Sequence, residues 1–288
     1  ALHLAYLAAG IKKGAEVITT PNTFASTANM LMVIGAVPVF CDIRLDTYNI
    51  DETGIENLIT KETKAIVPMH FAGQLCDMSA INKIAQKNNL IVIEDACHAL
   101  GAGIKDKKIG QSVFSFHPVK SITTGEGGAI ATNNKKFYQK LMLLRSHGIY
   151  KDRQSKNVMQ ELGYNYRLTD IGAAIGLSQL KKLNYFIKQR RRVVAWYKEE
   201  LRDCMEIILP LELPVNYSAW HIYVIRVKRA RLRDELASFL KQNGVGANFH
   251  YPAVYSHPFY RKNGYQNLTL KNEEIYQRSC LTLPCYVD

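Results

Sequence analysis

The stretch "TKAIVPMHFAGQLCDMSAINKIAQKNNLIVIEDA", residues 63–96, decides the fold class. Its two ends, 63–71 and 89–96, are apolar runs with the length and composition of buried strands. Between them, residues 77–89 place apolar side chains at positions 78, 81, 84 and 85, which is the spacing of an amphipathic helix. A strand, a helix and a second strand in this order indicate a mostly parallel sheet covered by helices.

The same alternation continues on both sides of this stretch. Before it, strands are predicted at 16–20 and 37–43, with a helix at 24–36 between them. After it, the pattern is helical over 168–203, and one bent helix or two helices would fill it. The sequence therefore predicts an α/β fold.

A smaller second domain is predicted beyond residue 205. A strand at 219–227 is followed by a helix at 231–244, which is typical of an α+β unit. We therefore expect a large domain over 1–205 and a small domain over 206–288. Both are expected to be incomplete at their termini, because the chain opens on "ALHLAYLAAG", which has the pattern of a helix interior.

Composition limits the function classes. The 288 residues are 47% hydrophobic, enough for one large core or for a large core and a small one. The net charge of +12 favours phosphate-bearing partners. The densest basic run, 188–202, has helical spacing and contains acids, which indicates a solvated helix face. No nucleic-acid-binding motif accompanies it, so no nucleic-acid partner is predicted.

The cysteines and the hydropathy pattern bear on location. The six cysteines show neither CxxC pairs nor the spacing of a zinc site, so we expect reduced thiols, no metal and a cytoplasmic protein. No run of 18 apolar residues is present, so no membrane span is predicted.

Three polar features follow predicted strands, at the edge where ligands bind in parallel sheets. Asp95 lies at the end of the apolar run in "NLIVIEDA" (89–96), where it would be either a ligand or the cap of the next helix. Lys120 lies between an apolar run and a glycine-rich turn in "SVFSFHPVKSITTGEGGA", residues 112–129. A lone lysine there is more often solvated, but a partly desolvated one can bind a carbonyl carbon. Ser115 and the turn can hold a phosphate. Pyridoxal phosphate (PLP) needs these three groups: a lysine, an acid opposite its ring nitrogen and a phosphate cup.

Several motifs resemble the DegT-type nucleotide-sugar aminotransferases, which are fold-type I PLP transferases. In chain order they are "PNTFASTANM", "IEDACHALGA", "SFHPVKSITTGEGGAIATN", "RSHGI" and "LGYNYRLTDIGAAIGLSQL", and they span nearly the whole chain. The resemblance implies a large domain with a mostly parallel, mixed sheet and a smaller α+β C-terminal domain.

The resemblance also implies how the cofactor is held. Lys120 would form the Schiff base and later carry the proton, and Asp95 would pair with the pyridine nitrogen. Phe24 would stack on the ring, His98 would lie near the phenolic oxygen, and Ser115 would bind the phosphate. Taken singly, Phe24 and His98 would more often be ordinary core residues.

Further residues are implied to bind the second subunit or the sugar. Asn165 would reach the phosphate from a second subunit, which implies a homodimer with active sites at the subunit interface. Arg167 would face the sugar nucleotide, unless it makes only a surface ion pair. His250 and Tyr251 would line the sugar pocket, although alone they would pass for residues at a strand end.

Within the family, "SFHPVKSITTGEGG" and "NFHYPAVYSHPFYRKNGY" (248–265) most resemble the transaminase of pseudaminic acid biosynthesis. This implies transfer of an amino group from L-glutamate to the C4 ketone of a UDP-4-keto-6-deoxy-N-acetylhexosamine. The alternatives are a different UDP- or dTDP-keto-sugar, or a sensor or binding module that kept the fold. A sugar dehydratase on the same fold is a further alternative. In it the family has histidine in place of the lysine, so Lys120 favours a transaminase. A Cys97–His98 nucleophile pair is disfavoured, because neighbours at a strand end rarely face each other.

Three departures from the family pattern stand out. Its phosphate-binding Gly-Thr segment would precede residue 1, and "KKIGQSVFSFHP" (107–118) is several residues shorter than usual. Gly172 replaces a more common glutamine. The first two predict that this chain is part of a longer one.

Overall fold

The computed structural model describes residues 1–104 and 112–287. The segment 107–118, predicted to be shorter than in the family, therefore lies in part outside the described residues. The strands in the described part are β1 (Glu16–Thr19), β2 (Val37–Phe40), β3 (Thr63–Val67), β4 (Ile91–Val92), β5 (Glu94–Asp95), β6 (Gly103–Ile104), β7 (Ser112–Ser115), β8 (Gly128–Ala131), β9 (Ile149–Lys151), β10 (Asn157–Met159), β11 (Ile207–Ile208), β12 (Asn216–Tyr217), β13 (Tyr223–Val227) and β14 (Cys280–Leu283).

Helices connect and cover these strands. They are α1 (Leu2–Ala8), α2 (Ser26–Val33), α3 (Glu52–Ile55), α4 (Met78–Lys87), α5 (Lys135–Arg145), α6 (Asp170–Leu180), α7 (Leu183–Glu200), α8 (Arg233–Gln242), α9 (Pro258–Tyr260) and α10 (Lys271–Ser279). Short 3₁₀ helices cover Glu56–Leu58, Phe71–Gly73, Ala230–Leu232 and Val254–Ser256, and a π turn covers Arg261–Tyr265.

The central sheet is mostly parallel, as the sequence predicts. Strands β2, β1, β3 and β4 pair in this order, all parallel. The chain of β4 continues into β5, which pairs parallel with β7, and β8 closes the edge antiparallel to β7. The Asp95 amide donates to the Pro68 carbonyl (2.9 Å), so the row from β3 to β5 is unbroken. One mixed sheet therefore extends from β2 to β8.

Helix α4 illustrates how the sequence produces these elements. Asp77 precedes it, and its carboxylate accepts a hydrogen bond from the Ala80 amide at 3.0 Å, which satisfies a free donor of the first turn. Ile81 and Ala85, one turn apart, are buried in a cluster that includes Ile18 and Ile66 of the sheet. The apolar stripe read from the sequence is thus the face that packs on β1 and β3.

The C-terminal part of the chain builds a second sheet. Strands β11, β13 and β14 pair antiparallel in that order. Val194 of α7 lies in the same buried cluster as Tyr223 and Leu281 of this sheet. Helix α7 precedes residue 205 and yet packs on the second sheet, so the division of the chain at 205 stays a prediction.

Two buried clusters join the C-terminal part to the large sheet. In one, Met69 and Phe71 beyond β3 pack with Tyr276 of α10. In the other, Phe40 of β2 packs with Tyr255 and Tyr260. The cavity described below is lined from both parts, so these clusters fix its two walls relative to each other.

Most predicted elements are confirmed, with shorter bounds. The region 168–203 is two helices, α6 and α7. The strand expected at 219–227 begins only at Tyr223, because Trp220 has a left-handed backbone (φ 45°) that a strand cannot contain. This turn places His221 beside the large sheet, where its amide donates to the Ala72 carbonyl at 2.9 Å.

We predict that Gly148→Ala destabilises the protein more than Gly14→Ala does. Both glycines have positive φ, +68° and +83°, so both substitutions strain the backbone. Only at Gly148 would the new Cβ also meet backbone, 1.8 Å from the Glu161 carbonyl oxygen, whereas nothing lies within 4 Å at Gly14. Thermal unfolding of Gly148→Ala should occur at least about 4 °C below that of Gly14→Ala. Equal melting temperatures would contradict this contact.

Candidate active site

A cavity of about 880 Å³ opens at the carboxyl ends of β1, β5 and β7. This is the edge at which ligands bind in parallel sheets, and the strand pattern of the sequence predicts a site there. Seven of the nine predicted site residues line it: Phe24, Asp95, His98, Ser115, Lys120, His250 and Tyr251. Lysine and aspartate, which the sequence separates by 25 positions, therefore face one cleft.

Asp95 is buried and held by two hydrogen bonds. It is 2% exposed at the end of β5. The Thr27 hydroxyl donates to Oδ2 at 2.7 Å, and the Cys97 amide donates to Oδ1 at 3.1 Å. Each carboxylate oxygen has one neutral donor from the protein, so the negative charge is oriented without being neutralised. This geometry suits a carboxylate that pairs with a cationic group in the cavity.

Lys120 lies in the loop that joins β7 to β8. Two backbone hydrogen bonds close this loop, Thr124 amide to Phe116 carbonyl (3.0 Å) and Phe116 amide to Gly127 carbonyl (2.9 Å). Gly125 turns the chain with φ +79°. The side chain of Lys120 is half-buried, and burial lowers the pKa of its amine, while Cys97 and Asp95 raise it by a smaller amount. A larger fraction of this amine is uncharged than at the surface.

His98 is fully buried and its tautomer follows from its contacts. The Ala72 amide donates to Nδ1 at 3.3 Å, so the proton of the neutral ring is on Nε2. Nε2 then donates to the Tyr251 hydroxyl at 3.1 Å. Burial lowers the pKa of His98 well below its usual value, and His221, Lys120 and His250 lower it further. His98 is therefore a neutral donor that links β5 to the C-terminal part.

Two further residues that the sequence did not single out, His221 and Arg190, also line the cavity. The ring of His221 lies against His98, with centroids 4.2 Å apart. Arg190 of α7 is 8% exposed and donates from Nη1 to the carbonyls of His221 (2.9 Å) and Trp220 (3.4 Å). The turn at Trp220 brings His221 to the cleft, whereas Arg190 reaches it from α7. In the sequence they appear only as polar residues, His221 within a strand-like pattern and Arg190 within a helical one.

His250 and Tyr251 reach the cavity from the C-terminal part. His250 Nδ1 lies 2.9 Å from the Thr282 hydroxyl of β14, and the pKa of His250 is lowered by burial and by Lys120. Tyr251 meets Phe24 edge-on, with ring centroids 6.3 Å apart. Phe24 is 61% exposed, so one face of its ring is available in the cleft. A large aromatic ring left open at a cavity wall can stack on a flat ligand.

Asn165 and Arg167 do not line the cavity. Both are exposed on the segment after Gly163, and Asn165 forms a β-bridge with Ser146 at the end of α5. Their side chains are therefore not brought to the cleft of their own chain. For Asn165 this placement is compatible with the predicted action in a second subunit. That action, and the predicted contact of Arg167 with the sugar nucleotide, stay predictions.

The whole chain matches one known protein family. The family model of the DegT/DnrJ/EryC1/StrS aminotransferases matches residues 1–288. The chain belongs to this aminotransferase family.

Individual members of the family match over the same range. A UDP-4-amino-4,6-dideoxy-N-acetyl-β-L-altrosamine transaminase from Campylobacter jejuni is 41% identical over 99% of this chain and 78% of its own length. The solved structure of Helicobacter pylori PseC, an aminotransferase involved in pseudoaminic acid biosynthesis, is 34% identical with a TM-score of 0.93, covering 99% of this chain and 79% of that one. A sugar aminotransferase from Streptococcus pneumoniae in its PLP form is 26% identical with a TM-score of 0.91, covering 100% and 80%.

Family membership confirms the predicted fold class, reaction class and cofactor. The protein is a PLP-dependent sugar aminotransferase with the fold-type I architecture. The site fits PLP by its own geometry, since an oriented carboxylate, an amine of lowered pKa and an open aromatic face line one cavity. In residues 1–104 and 112–287, no helix is long and apolar enough to cross a membrane.

We predict that Lys120→Met stabilises the protein after PLP has been removed. The folded state lowers the pKa of Lys120 from its ordinary value of 10.5, so burying the charged amine costs stability at neutral pH. This cost is full below the lowered pKa and disappears above the ordinary value. At pH 7 the variant should therefore melt at a higher temperature than the wild-type protein.

The advantage of Lys120→Met should shrink as the pH rises toward 10.5. Lys87→Met is the matched control, because Lys87 is exposed and pairs with Glu56 at the surface. If Lys120→Met and Lys87→Met had the same effect on the melting temperature at pH 7, burial of the Lys120 charge would not carry a cost.

Proposed function

We propose that the protein transfers an amino group from L-glutamate to the C4 ketone of a UDP-4-keto-6-deoxy-N-acetylhexosamine, as in pseudaminic acid biosynthesis. The observation that carries the transamination is that Lys120 and Asp95 line one cleft. The similarity to the C. jejuni transaminase supports the choice of sugar. The alternative is another UDP- or dTDP-linked keto-sugar.

Five residues are proposed to hold PLP. Asp95 pairs with the ring nitrogen, because its two oxygens are fixed and keep free lone pairs. Phe24 stacks on the ring, and Ser115 binds the phosphate from the end of β7. His98 orients the site near the phenolic oxygen, together with the Tyr251 hydroxyl to which it donates. Lys120 binds the aldehyde carbon. When bound, PLP supplies a carbonyl carbon and an electron-withdrawing ring.

Lys120 is also the residue proposed to move protons. Its amine accepts a proton only when it is uncharged, and burial increases the uncharged fraction at neutral pH. General acid–base transfer by a positioned group contributes about 10²–10⁴-fold to the rate. Burial lowers the pKa values of the neighbouring imidazoles of His98, His221 and His250, which favours their neutral forms. They therefore add no positive charge to the cleft around Lys120.

The sugar nucleotide is proposed to bind between the two parts of the chain. His250 and Tyr251 form the part of the wall contributed by the C-terminal part. Arg167 is proposed to meet the substrate bound in a second subunit, since it is exposed outside the cavity of its own chain. A cytoplasmic location, inferred from the cysteines, remains part of the proposal.

A homodimer is proposed from the surface of α6. This helix is mostly apolar, with Asp170 as its one charged residue. Nevertheless, Ile171, Leu177 and Leu180 are 78%, 64% and 50% exposed. Leu162, before Asn165, is 72% exposed. Apolar side chains exposed around a helix in this way are typical of a subunit interface. Asn165 precedes α6 by five residues in the chain, so pairing through α6 would bring the segment that carries Asn165 close to the second subunit.

The reaction is tested with a panel of UDP- and dTDP-linked 3-keto and 4-keto sugars in the presence of L-glutamate. We expect 2-oxoglutarate and an aminated sugar, identified by mass spectrometry, from the UDP-4-keto-6-deoxy-N-acetylhexosamine. Lys120→Ala removes the amine, and Lys120→Arg replaces it with a group that stays protonated. Each variant should therefore lose at least about 10²-fold in rate. Borohydride should fix PLP onto Lys120 in the wild type only. Equal turnover of a dTDP sugar would favour the alternative substrate.

The dimer is tested by Leu177→Glu, which places a charge in the exposed face of α6. Analytical ultracentrifugation should show a dimer for the wild type and a monomer with little transaminase activity for Leu177→Glu. Phe239→Glu on α8 is the matched control, because Phe239 is 60% exposed but lies outside the proposed interface. It should remain dimeric. A dimeric Leu177→Glu protein would exclude α6 as the contact.

A further inference from the structure

We propose that Thr27 is a positioning residue whose hydroxyl group holds Asp95 in the orientation that the ring nitrogen of the cofactor requires. This inference rests on the role proposed for Asp95. Thr27 lies in the first turn of α2 and is 1% exposed. It is absent from the cavity wall, so it acts on the cofactor only through the carboxylate.

The direction of the hydrogen bonds follows from the acceptors. Thr27 Oγ1 lies 2.7 Å from Asp95 Oδ2 and 3.0 Å from the Thr23 hydroxyl. A hydroxyl has one proton, and an ionised carboxylate can only accept. Thr27 therefore donates to Asp95, and Thr23 donates to Thr27. The two hydroxyl groups form a relay that ends on the carboxylate.

This relay defines where the lone pairs of Asp95 point. The Cys97 amide donates to Oδ1 from the backbone, which side-chain substitution cannot remove. Thr27 is the side chain that fixes Oδ2, and its distance of 2.7 Å is that of a strong, charge-assisted bond. With both oxygens engaged, rotation of the carboxylate plane would break at least one bond. The remaining lone pairs are therefore held toward the cavity.

The position of Thr27 is itself fixed by the fold. The Tyr6 hydroxyl of α1 donates to the Thr27 carbonyl oxygen at 2.9 Å, and Tyr6 is fully buried. Helix α1 therefore fixes the first turn of α2 against the end of β5. The side chain of Thr27 has the branched shape of valine, so Thr27→Val removes the proton donor and keeps the packing.

The test measures the dissociation constant of PLP by equilibrium dialysis of the holoenzyme. Thr27→Val should bind PLP at least about tenfold more weakly, the ratio that a hydrogen bond to a charged group typically supplies. Thr27→Ser keeps the hydroxyl and should restore the affinity to within about threefold. In an Asp95→Asn background, Thr27→Val should change the affinity less than about twofold, because Thr27 acts through the carboxylate.

Thr19→Val is the matched control. Thr19 is also fully buried near the end of a strand, but its hydroxyl donates to the Val67 carbonyl and makes no contact with Asp95. It should lose stability as Thr27→Val does and keep the wild-type affinity for PLP. Wild-type affinity in Thr27→Val, or equal weakening in Thr27→Ser, would overturn the inference while leaving the proposed function intact. A wild-type protein that binds no PLP would overturn both.

Discussion

The site depends on one constraint: a carboxylate buried at the end of a central parallel strand must be stabilised by neutral donors. The Thr27 hydroxyl and the Cys97 amide are the neutral donors to the Asp95 carboxylate. An ionised group so buried is costly unless hydrogen-bonded, and a fully neutralised one could not pair with a cofactor nitrogen. The protein thus presents an oriented negative charge to the cleft. The sheet beneath Asp95 is continuous, so this charge has a fixed position relative to Lys120.

Burial also determines the charge state of the other groups in the cleft. It is the largest cause of the lowered pKa of Lys120 and of the lowered pKa values of His98, His221 and His250. An amine that is partly uncharged can attack a carbonyl carbon, and neutral imidazoles can donate hydrogen bonds without adding positive charge. The same desolvation that costs folding stability therefore gives these groups the charge states that the proposed transamination requires.

The C-terminal part of the chain completes the cavity. Its wall is held in place by buried aromatic packing, in which Tyr276 contacts both Tyr48 and Phe71 and donates to the His250 carbonyl. His98 then donates to Tyr251 across the cleft. A substrate between the two parts would contact groups whose relative position depends on this packing. If the sugar binds there as proposed, its recognition would depend on both parts together.

The sequence by itself determined the alternation of strands and helices, the placement of Asp95, Ser115 and Lys120 after strands, and the family motifs. These are local properties, since periodicity and strand-end position depend on neighbouring residues. Only the tertiary structure decided which of these groups share a cleft. His221 reaches the cavity through the left-handed turn at Trp220, and Thr27 meets Asp95 across 68 positions of the chain. Such contacts arise from packing between distant segments, and no local pattern encodes them.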